Sequence, residues 1–315
     1  MALQTTVKHN VRCSGVGLHS GVLTHMSLSP APTGTGVVFR RVDQSGRAAY
    51  VPAQYDKVVD TRLGTTIANE YGVKVATIEH LMAAIAGAGL TNVYVDLDGP
   101  EVPIMDGSAA PFVFLIECAG LQVQSAYQEA LRVRERVSVT DGDKWAEILP
   151  GEGFHAEMSI AFGSAAIGTQ TMSFTFDRNG FKSQVARART FGFRHEVEQL
   201  QAAGLALGGS LSNSIVIDGD AILNDGGLRF ADEFVRHKLL DVVGDLSLAG
   251  WPLQGFFRGH KTGHTLNNKL LRELFSRRSA WEIVTLRDGP STDTIRRLKL
   301  SSPDFQRMFD EYHQL

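Results

Sequence analysis

The sequence is poor in cysteine and in long apolar runs, and both shortages restrict what the protein can be. Its two cysteines, Cys13 and Cys118, are far apart and show neither metal-type spacing nor a disulfide framework. The most apolar stretches, residues 80–90 and 110–121, are shorter than the roughly 20 residues that cross a bilayer. The N-terminal decapeptide lacks the apolar core of a secretion signal. We therefore expect a cytoplasmic protein without a transmembrane segment, although contact with a membrane surface stays open.

An excess of positive charge is also missing. Thirty-one Lys and Arg residues face 34 Asp and Glu residues, for a formal net charge of −3. No overall positive field therefore attracts nucleic acid, and basic clusters interleaved with aromatic residues are absent. An RNA-binding module remains an alternative, but this charge balance disfavours it. The 32 glycines indicate many tight turns, and 315 residues suffice for one large domain or two ordinary ones.

A helix–strand–helix pattern occurs twice along the chain. Helical spacing of apolar residues and strand alternation predict the elements. Those of the first half are a helix over 76–89 with Thr77 as its N-cap, a strand over 92–99 and a helix over 106–120 capped by Asp106 or Ser108, with Pro111 in its first turn. Those of the second half are a helix over 231–248, a strand over 253–258 and a helix over 266–278. Residues 36–42 are predicted as a strand and 131–139 as an edge strand.

The two halves also match each other in register. Placing His80 over His237, an offset of 157 residues (237 − 80), brings Gly87 over Gly244. We infer an internal duplication with a boundary near 124–131. The predicted fold class is α+β, with two similar domains over residues 1–126 and 127–315. A pseudo-twofold packing of the equivalent helices would bring their histidines close together.

One face of the helix over 231–248 carries His237, Asp241 and Asp245 at intervals of four. The ordinary interpretation is a solvated face, since most such pairs are surface neighbours. Alternatively, His237 and Asp241 present a nitrogen and an oxygen ligand to one point, as zinc accepts, and His80 supplies a third ligand if the duplication holds. Asp245, one turn further along, could orient a histidine and hold it protonated.

Two other polar side chains are candidates for proton transfer. Glu79 either interacts with the helix dipole in an exposed first turn or, beside a metal ligand, takes a proton from water. The loop GHKTGH contains His260, which we interpret as a structural turn residue. It also contains His264, which has the stronger functional interpretation because it follows a strand.

Seven stretches of the chain, in order, resemble motifs of the UDP-3-O-acyl-N-acetylglucosamine deacetylases, the zinc amidases of the committed step of lipid A synthesis in Gram-negative bacteria. They are GVGLHSG (15–21), TIEHLMAA (77–84), PIMDGSAAPFV (103–113), ARTFGF (188–193), GLALGGSLSNSIV (204–216), RHKLLDVVGDL (236–246) and GHKTGH (259–264). No single motif is specific, but together they cover nearly the whole chain.

The resemblance implies a fold, a cofactor and a mechanism. Each domain would be a mostly antiparallel sheet with helices on one face, and the helices would lie between the two sheets. One Zn²⁺ per chain would be bound by His80, His237 and Asp241. Glu79 would act as general base and His264 as general acid, with Asp245 as its partner. Thr190 would help bind the developing oxyanion, and Lys238 would hold the substrate and support the transition state.

The resemblance also implies a substrate with a UDP group, an acetylated glucosamine and a hydroxyacyl chain. An insert near 191–216 would form the acyl tunnel, although ordinary helix and turn is the alternative there. The expected acyl contacts are Leu18, Phe191, Val197, Ala206 and Ser210, and the expected nucleotide contacts are Lys144, Phe162 and Lys261. His19 would lie near the diphosphate or sugar, or else be a turn residue. Gly64 departs from the family pattern and is expected to affect only the width of the tunnel mouth.

Two further expectations concern partners and specificity. We expect a monomer that binds the lipid-linked sugar nucleotide and no nucleic acid. A deacetylase of another acetylated sugar on the same scaffold is the alternative enzyme.

Overall fold

The computed structural model describes residues 1–286 as an α+β protein. Its helices are α1 (Glu79–Ala88), α2 (Ala110–Ala119), α3 (Arg178–Gly180, continued by a π-turn over Phe181–Val185), α4 (Arg194–Ala202), α5 (Glu233–Ser247) and α6 (His264–Ser276). Single 3₁₀ turns cover Gly46–Ala49, Tyr55–Lys57 and Arg278–Ala280. None of the helices in this part of the chain has both the length and the apolar character needed to cross a bilayer.

Twenty strands accompany these helices over the same residues. The first ten are β1 (Leu3–Val7), β2 (Val11–Val16), β3 (Leu23–Pro30), β4 (Val37–Arg41), β5 (Tyr50–Pro52), β6 (Val58–Asp60), β7 (Thr66–Ala68), β8 (Lys74–Val75), β9 (Val93–Leu97) and β10 (Leu121–Tyr127). The others are β11 (Glu129–Val133), β12 (Val137–Asp141), β13 (Lys144–Leu149), β14 (Phe154–Ala161), β15 (Thr169–Thr175), β16 (Phe191–Phe193), β17 (Ile215–Asp218), β18 (Ala221–Ile222), β19 (Leu253–His260) and β20 (Trp281–Thr285).

The two largest sheets share one topology: five strands of each follow the same spatial order and the same directions. The first runs β2-β3-β9-β4-β5, with every pair antiparallel except β4 and β9. The second contains the path β12-β13-β19-β14-β15, with every pair antiparallel except β14 and β19. In each sheet the central strand, β9 or β19, lies between two helices in the chain, α1 and α2 or α5 and α6. The second sheet is extended by β11 and β20.

Helices α1 and α5 pack closely against each other. Gly244 of α5 faces the backbone of Glu79 at the start of α1, and a Cβ atom at this position would overlap the Glu79 carbonyl oxygen. Glycine is therefore the residue that lets these two helices approach so closely. Apolar residues from both helices and both large sheets form one buried cluster, which includes Phe39, Leu81, Leu240 and Phe257.

The strands that adjoin this core show why the sequence forms them. Along β9 and β19, buried residues alternate with partly exposed ones, so one face of each sheet packs inward. The predicted strands over 92–99 and 253–258 are thereby confirmed, with β19 extending to His260.

Three local predictions were wrong. Thr77 does not cap α1: its φ is 57°, its hydroxyl bonds to Glu101, and Ile78 occupies the N-cap position. The helix predicted from residue 106 begins at Ala110, because Asp106 and Ser108 hydrogen-bond to each other in a preceding turn. Pro111 does lie in the first turn, as expected. The predicted edge strand over 131–139 is divided, and only β12 lies at an edge.

Candidate metal centre and active site

Three predicted metal ligands meet where α1 and α5 cross. His80 comes from α1, and His237 and Asp241 lie one turn apart on α5. Their candidate ligand atoms all lie within 4.8 Å of one another, and all three side chains are buried. The Nε2 atoms of His237 and His80 are 3.4 Å and 3.8 Å from the same oxygen, Asp241 Oδ1. Two helices from opposite halves of the chain thus direct two nitrogens and one oxygen at a common point.

The protonation states of this cluster suit a divalent cation. Burial lowers the pKa of His80 to about 3 and also lowers the pKa of His237, so both imidazoles are neutral. Burial opposes ionisation of Asp241, but the positive charges of Lys238 and of the nearby His264 outweigh it and keep its pKa well below the ordinary value. Neutral imidazole and ionised carboxylate are the forms that bind zinc.

Hydrogen bonds leave the inner atoms of the cluster available for a ligand. His237 Nδ1 donates to the Ala188 carbonyl oxygen at 3.1 Å, which leaves a lone pair on Nε2. Lys238 donates to Asp241 Oδ2 at 2.8 Å. Asp241 Oδ1 is buried and has no hydrogen-bond partner within residues 1–286. Because an unpaired buried carboxylate oxygen is costly, this atom fits a cation that the three residues would bind together.

Glu79 lies beside the cluster and is fully buried in the first turn of α1. Its Oε2 accepts from the Thr65 backbone N–H at 2.9 Å, and its Oε1 lies 3.9 Å from His264 Nε2. Burial is the main cause that raises its pKa to about 7. The exposed helix-dipole interpretation is therefore wrong, since the carboxylate is 3% exposed. A carboxyl group with this pKa can accept and release a proton near neutral pH.

Gly64 lies close to the Glu79 carboxylate. A Cβ atom at residue 64 would lie 2.8 Å from Glu79 Oε1. A larger side chain at residue 64 would therefore reduce the space around this carboxylate. The expected effect of Gly64 on the width of the tunnel mouth stays a prediction.

His264 is the first residue of α6, and its imidazole faces Glu79 from the other half of the chain. Its Nδ1 donates to Asp245 Oδ2 at 2.8 Å. Burial alone would lower its pKa, but the charge of Asp245 and this hydrogen bond raise it to about 10. Asp245 also accepts from Thr65 Oγ1 at 2.6 Å and from Asn267 Nδ2 at 2.8 Å. His264 is accordingly held as an imidazolium at neutral pH.

The segment ARTF borders the cluster on another side. The Ala188 carbonyl binds His237, and the Phe191 ring lies 6.2 Å from the His237 ring and 5.5 Å from Lys238 Nζ. Between them, Thr190 is fixed by its backbone, which bonds to Gly107 O and to Ile215 N. Within residues 1–286 its hydroxyl has no hydrogen-bond partner. Lys238 thus bonds to one predicted metal ligand, Asp241, and Thr190 lies in the segment whose Ala188 carbonyl binds another, His237.

The residues predicted to contact the nucleotide divide into two small groups. Phe162 packs edge-on against Phe191 at 5.7 Å and is 37% exposed. Lys261 pairs with Asp143 at 2.7 Å, and Lys144 is the exposed residue that follows Asp143. Phe162 therefore lies against the residues around the cluster, whereas within residues 1–286 no hydrogen bond or ion pair joins either lysine to the cluster.

The predicted acyl segment forms a small unit of its own. Residues 191–216 contain β16, α4 and a loop that leads to β17. The Val197 side chain lies next to Gly192, where an added Cβ atom would be 3.5 Å from it. Ala206 is buried with a φ of 52°, and Ser210 is exposed. Leu205, Leu207 and Leu211 of the loop are exposed apolar residues. The ordinary helix-and-turn interpretation describes α4 correctly, but the exposed leucines are consistent with an apolar ligand nearby.

A tight turn joins this loop to the first half of the chain. The carbonyl oxygens of Leu18 and His19 accept from the backbone N–H groups of Gly208 and Leu207, at 3.0 Å and 3.2 Å. His19 Nε2 donates to Leu63 O at 3.2 Å. The predicted residues Leu18 and His19 are thereby placed between the loop of the acyl segment and the segment that leads to Glu79.

Several residues of the site were missed by the sequence interpretation. Thr65 contacts both Glu79 and Asp245, Asn267 contacts Asp245, and the Ala188 carbonyl orients His237. Arg189 forms a buried ion pair with Glu233 at 2.9 Å that anchors the ARTF segment to the start of α5. Ala188 and Arg189 lie in the motif ARTFGF, which could have drawn attention to them, whereas Thr65 and Asn267 lie outside the seven motifs. The contacts of all four residues join parts of the chain that are distant in sequence or separated by a turn, so periodicity does not reveal them.

Comparison with known proteins gives a consistent result. Residues 4–276 match the family model described as UDP-3-O-acyl N-acetylglycosamine deacetylase. Proteins named UDP-3-O-acyl-N-acetylglucosamine deacetylase from three bacteria are similar along almost their whole length. The Acidithiobacillus ferrooxidans protein is 52% identical over 286 residues, covering 90% of this chain and 93% of its own. The Mannheimia succiniciproducens protein is 49% identical (91% and 95% covered), and that of Hahella chejuensis is 51% identical (92% and 96%).

Proposed function

Because the chain belongs to the UDP-3-O-acyl-N-acetylglucosamine deacetylase family, we propose that His80, His237 and Asp241 hold one catalytic zinc ion per chain. The protein is a hydrolase of lipid A biosynthesis that removes the N-acetyl group of UDP-3-O-acyl-N-acetylglucosamine. The observation that carries the metal proposal is Asp241 Oδ1, a buried oxygen without a hydrogen bond that faces two imidazole nitrogens. When bound, zinc supplies Lewis-acid chemistry, since it polarises a carbonyl group and makes water more acidic.

Glu79 is the proposed general base. Its carboxylate lies in the turn that carries His80, and the Thr65 N–H holds one oxygen so that the other faces His264. It takes a proton from the attacking water, and its raised pKa makes it a stronger base than an exposed glutamate.

His264 is the proposed general acid, with Asp245 as its partner. Amide hydrolysis needs a proton for the leaving amine, and His264 Nε2 faces the site while Nδ1 is bound to Asp245. The imidazolium gives its Nε2 proton to the amine nitrogen, and the Asp245 carboxylate stabilises the charged form beforehand.

Thr190 and Lys238 are proposed to stabilise the negative charge that develops on the carbonyl oxygen. The Thr190 hydroxyl is unengaged within residues 1–286, and Lys238 is held near the cluster by Asp241. A fixed donor and a fixed positive charge next to the reacting carbonyl stabilise the developing negative charge more strongly in a partly buried site than in water.

The substrate is proposed to lie across both halves of the chain. Its acyl chain would follow Leu18, Phe191, Val197, Ala206 and Ser210, and its nucleotide would contact Lys144, Phe162 and Lys261, with His19 near the diphosphate or sugar. The exposed leucines of residues 203–211 and the aromatic packing of Phe162 on Phe191 support this arrangement.

We also propose that the chain arose by internal duplication, with domains over residues 1–126 and 127–315 and their helices between the two sheets. The shared strand order of the two large sheets supports this, as does the change of sheet between β10 and β11. A cytoplasmic, monomeric enzyme is proposed as well, and the two unpaired cysteines are in keeping with a reducing compartment.

Metal analysis combined with turnover tests the proposed site. The purified chain should contain about one zinc per molecule, and His237→Ala should lose both zinc and deacetylation. His155→Ala is the matched control, because His155 is a polar residue of β14 that bonds to Thr175 and Glu152. Full zinc content in His237→Ala would contradict the proposed ligand set. Equal turnover of substrates with and without the acyl chain would contradict the acyl contacts and favour another acetylated sugar.

A further inference from the structure

A buried carboxylate outside the metal cluster connects the two loops that border the site. Glu101 follows β9 and is 2% exposed. Its Oε1 accepts from Thr77 Oγ1 at 2.8 Å and from the His19 backbone N–H at 2.9 Å. Its Oε2 accepts from the Ser20 backbone N–H at 2.8 Å. Among residues 1–286 it has no ion-pair partner, so these three neutral donors are what compensates its burial.

On one side Glu101 holds the turn from which α1 begins. Thr77 lies two residues before Glu79 and has a φ of 57°, which is unfavourable for a β-branched side chain by about 1–3 kcal/mol. The bond from its hydroxyl to Glu101 fixes this conformation, so the carboxylate helps to set where Glu79 and His80 start.

On the other side Glu101 holds the turn that carries His19. The N–H groups of His19 and Ser20 both point at its carboxylate, while the His19 ring reaches Leu63 and the His19 carbonyl binds Leu207. The same carboxylate is therefore bonded to the start of the catalytic helix and to the turn that carries the loop of the acyl segment.

The sequence makes room for this carboxylate at Gly17. A Cβ atom there would overlap Glu101 Oε2 and Ser20 Oγ. Glycine at this position is consistent with a requirement for the carboxylate to approach the turn closely.

We propose that Glu101 is a positioning residue for deacetylation, which fixes the His19 turn relative to α1. The proposal rests on the substrate role proposed for His19. A carboxylate suits this place because both of its oxygens only accept hydrogen bonds, and three donors converge on it. Glutamine has nearly the same shape but would turn an NH₂ group toward one of these donors.

A double-mutant cycle tests the proposal. Glu101→Gln should lower kcat/KM for the acylated substrate by about tenfold or more, since small displacements of substrate-positioning groups are costly. Zinc content should not change, because the amide oxygen of glutamine can still accept from Thr77 while the NH₂ group faces the Ser20 N–H. In a His19→Ala background the same substitution should lower kcat/KM much less, because the side chain through which it acts has been removed. Glu117→Gln is the matched control, as Glu117 is an exposed residue of α2 paired with Lys182.

Other outcomes overturn the proposal. An equal loss of kcat/KM in the wild-type and His19→Ala backgrounds would mean that Glu101 does not act through the turn. Unchanged kcat/KM in His19→Ala alone would mean the same. If Glu101→Gln does not fold, Gly17→Ala replaces it in the cycle, since its methyl group displaces the same carboxylate. Turnover and zinc content of the wild-type protein test the proposed function separately from this cycle.

Discussion

His264 donates a hydrogen bond from Nδ1 to Asp245 Oδ2 at 2.8 Å, across the gap between α6 and α5. The pair lies beside Glu79, so an acid held protonated and a base with a raised pKa face each other at 3.9 Å. Such a separation of pKa values between neighbouring groups is how one site supplies both an acid and a base near neutral pH.

Asp245→Asn should move the basic limb of the pH profile of kcat/KM to lower pH. Burial lowers the pKa of His264, but Asp245 is the largest of the influences that raise it to about 10, ahead of Glu79 and Asp241, and an amide removes the Asp245 charge. The limb reports loss of the imidazolium, so it should shift toward pH 6.5. Asp98→Asn, which alters the exposed His25–Asp98 pair, should leave the profile unchanged. A basic limb that does not move in Asp245→Asn would assign the acid to another residue.

The same pair should make stability depend on pH. Because the pKa of His264 is raised on folding, its stabilising contribution is fully present below pH 6.5 and is lost as the pH rises through about 10. Urea denaturation at pH 6, 8 and 10 should show a smaller decrease in unfolding free energy for Asp245→Asn than for the wild type. Identical decreases would show that the pair makes no such contribution.

Glu79→Gln should lower turnover by roughly a hundredfold or more while zinc stays bound, because a general base contributes about 10²–10⁴ to rate. Glutamine keeps the bond from the Thr65 N–H but cannot take a proton. Glu70→Gln, at an exposed position, is the control. Turnover and zinc analysis of the same samples separate the two effects, and undiminished turnover would remove Glu79 from the mechanism.

Thr65→Val should weaken both stability and activity, because it leaves Asp245 Oδ1 without its hydroxyl donor. Loss of a buried hydrogen bond costs about 1–3 kcal/mol of unfolding free energy, and the bond from the residue 65 N–H to Glu79 is retained. Thr65→Ser restores the hydroxyl and should recover most of the turnover. Thermal unfolding and kinetics of both variants provide the measurement. Equal melting temperatures and turnover of Thr65→Val and Thr65→Ser would contradict the role of the hydroxyl.

Gly244→Ala should destabilise the protein and weaken zinc binding together. The added methyl group would overlap the Glu79 carbonyl oxygen, so α1 and α5 must separate and carry His80 away from His237. Overpacking of this kind costs about 1–3 kcal/mol. Gly226→Ala, where a methyl group would meet nothing within 4 Å, is the control. A wild-type melting temperature and zinc affinity in Gly244→Ala would show that the helices can adjust without cost.

Helical periodicity predicted the elements that carry the metal cluster. The register that matched His80 to His237 also matched Gly87 to Gly244, and a Cβ atom at either glycine would overlap a neighbour. Their neighbours differ, however, since Gly87 faces the Phe181 ring and Gly244 faces the Glu79 backbone. A pattern of apolar residues indicates which face of a helix is buried, but it does not identify what the face will contact.

The parts of the site that sequence could not predict depend on contacts between distant residues. Thr65 follows an irregular loop, and its partner Asp245 is 180 residues away. Glu101 lies just before the motif at 103–113 and outside all seven motifs. The left-handed conformation of Thr77 runs against the preference of threonine. Propensity predicted a cap at Thr77, and a tertiary hydrogen bond determined its conformation instead.

The hydrogen bonds that attach the loop after α4 to the turn at Leu18 and His19 join main-chain atoms. Hydrogen bonds between main-chain atoms do not depend directly on which side chains the loop has. Mutation can therefore alter the outward-facing residues of this loop, such as Leu205 and Leu211, while its anchorage and the reaction chemistry persist. On the acyl role proposed for this loop, substitutions here would let evolution tune the length of fatty chain that is accepted without rebuilding the residues that cleave the amide.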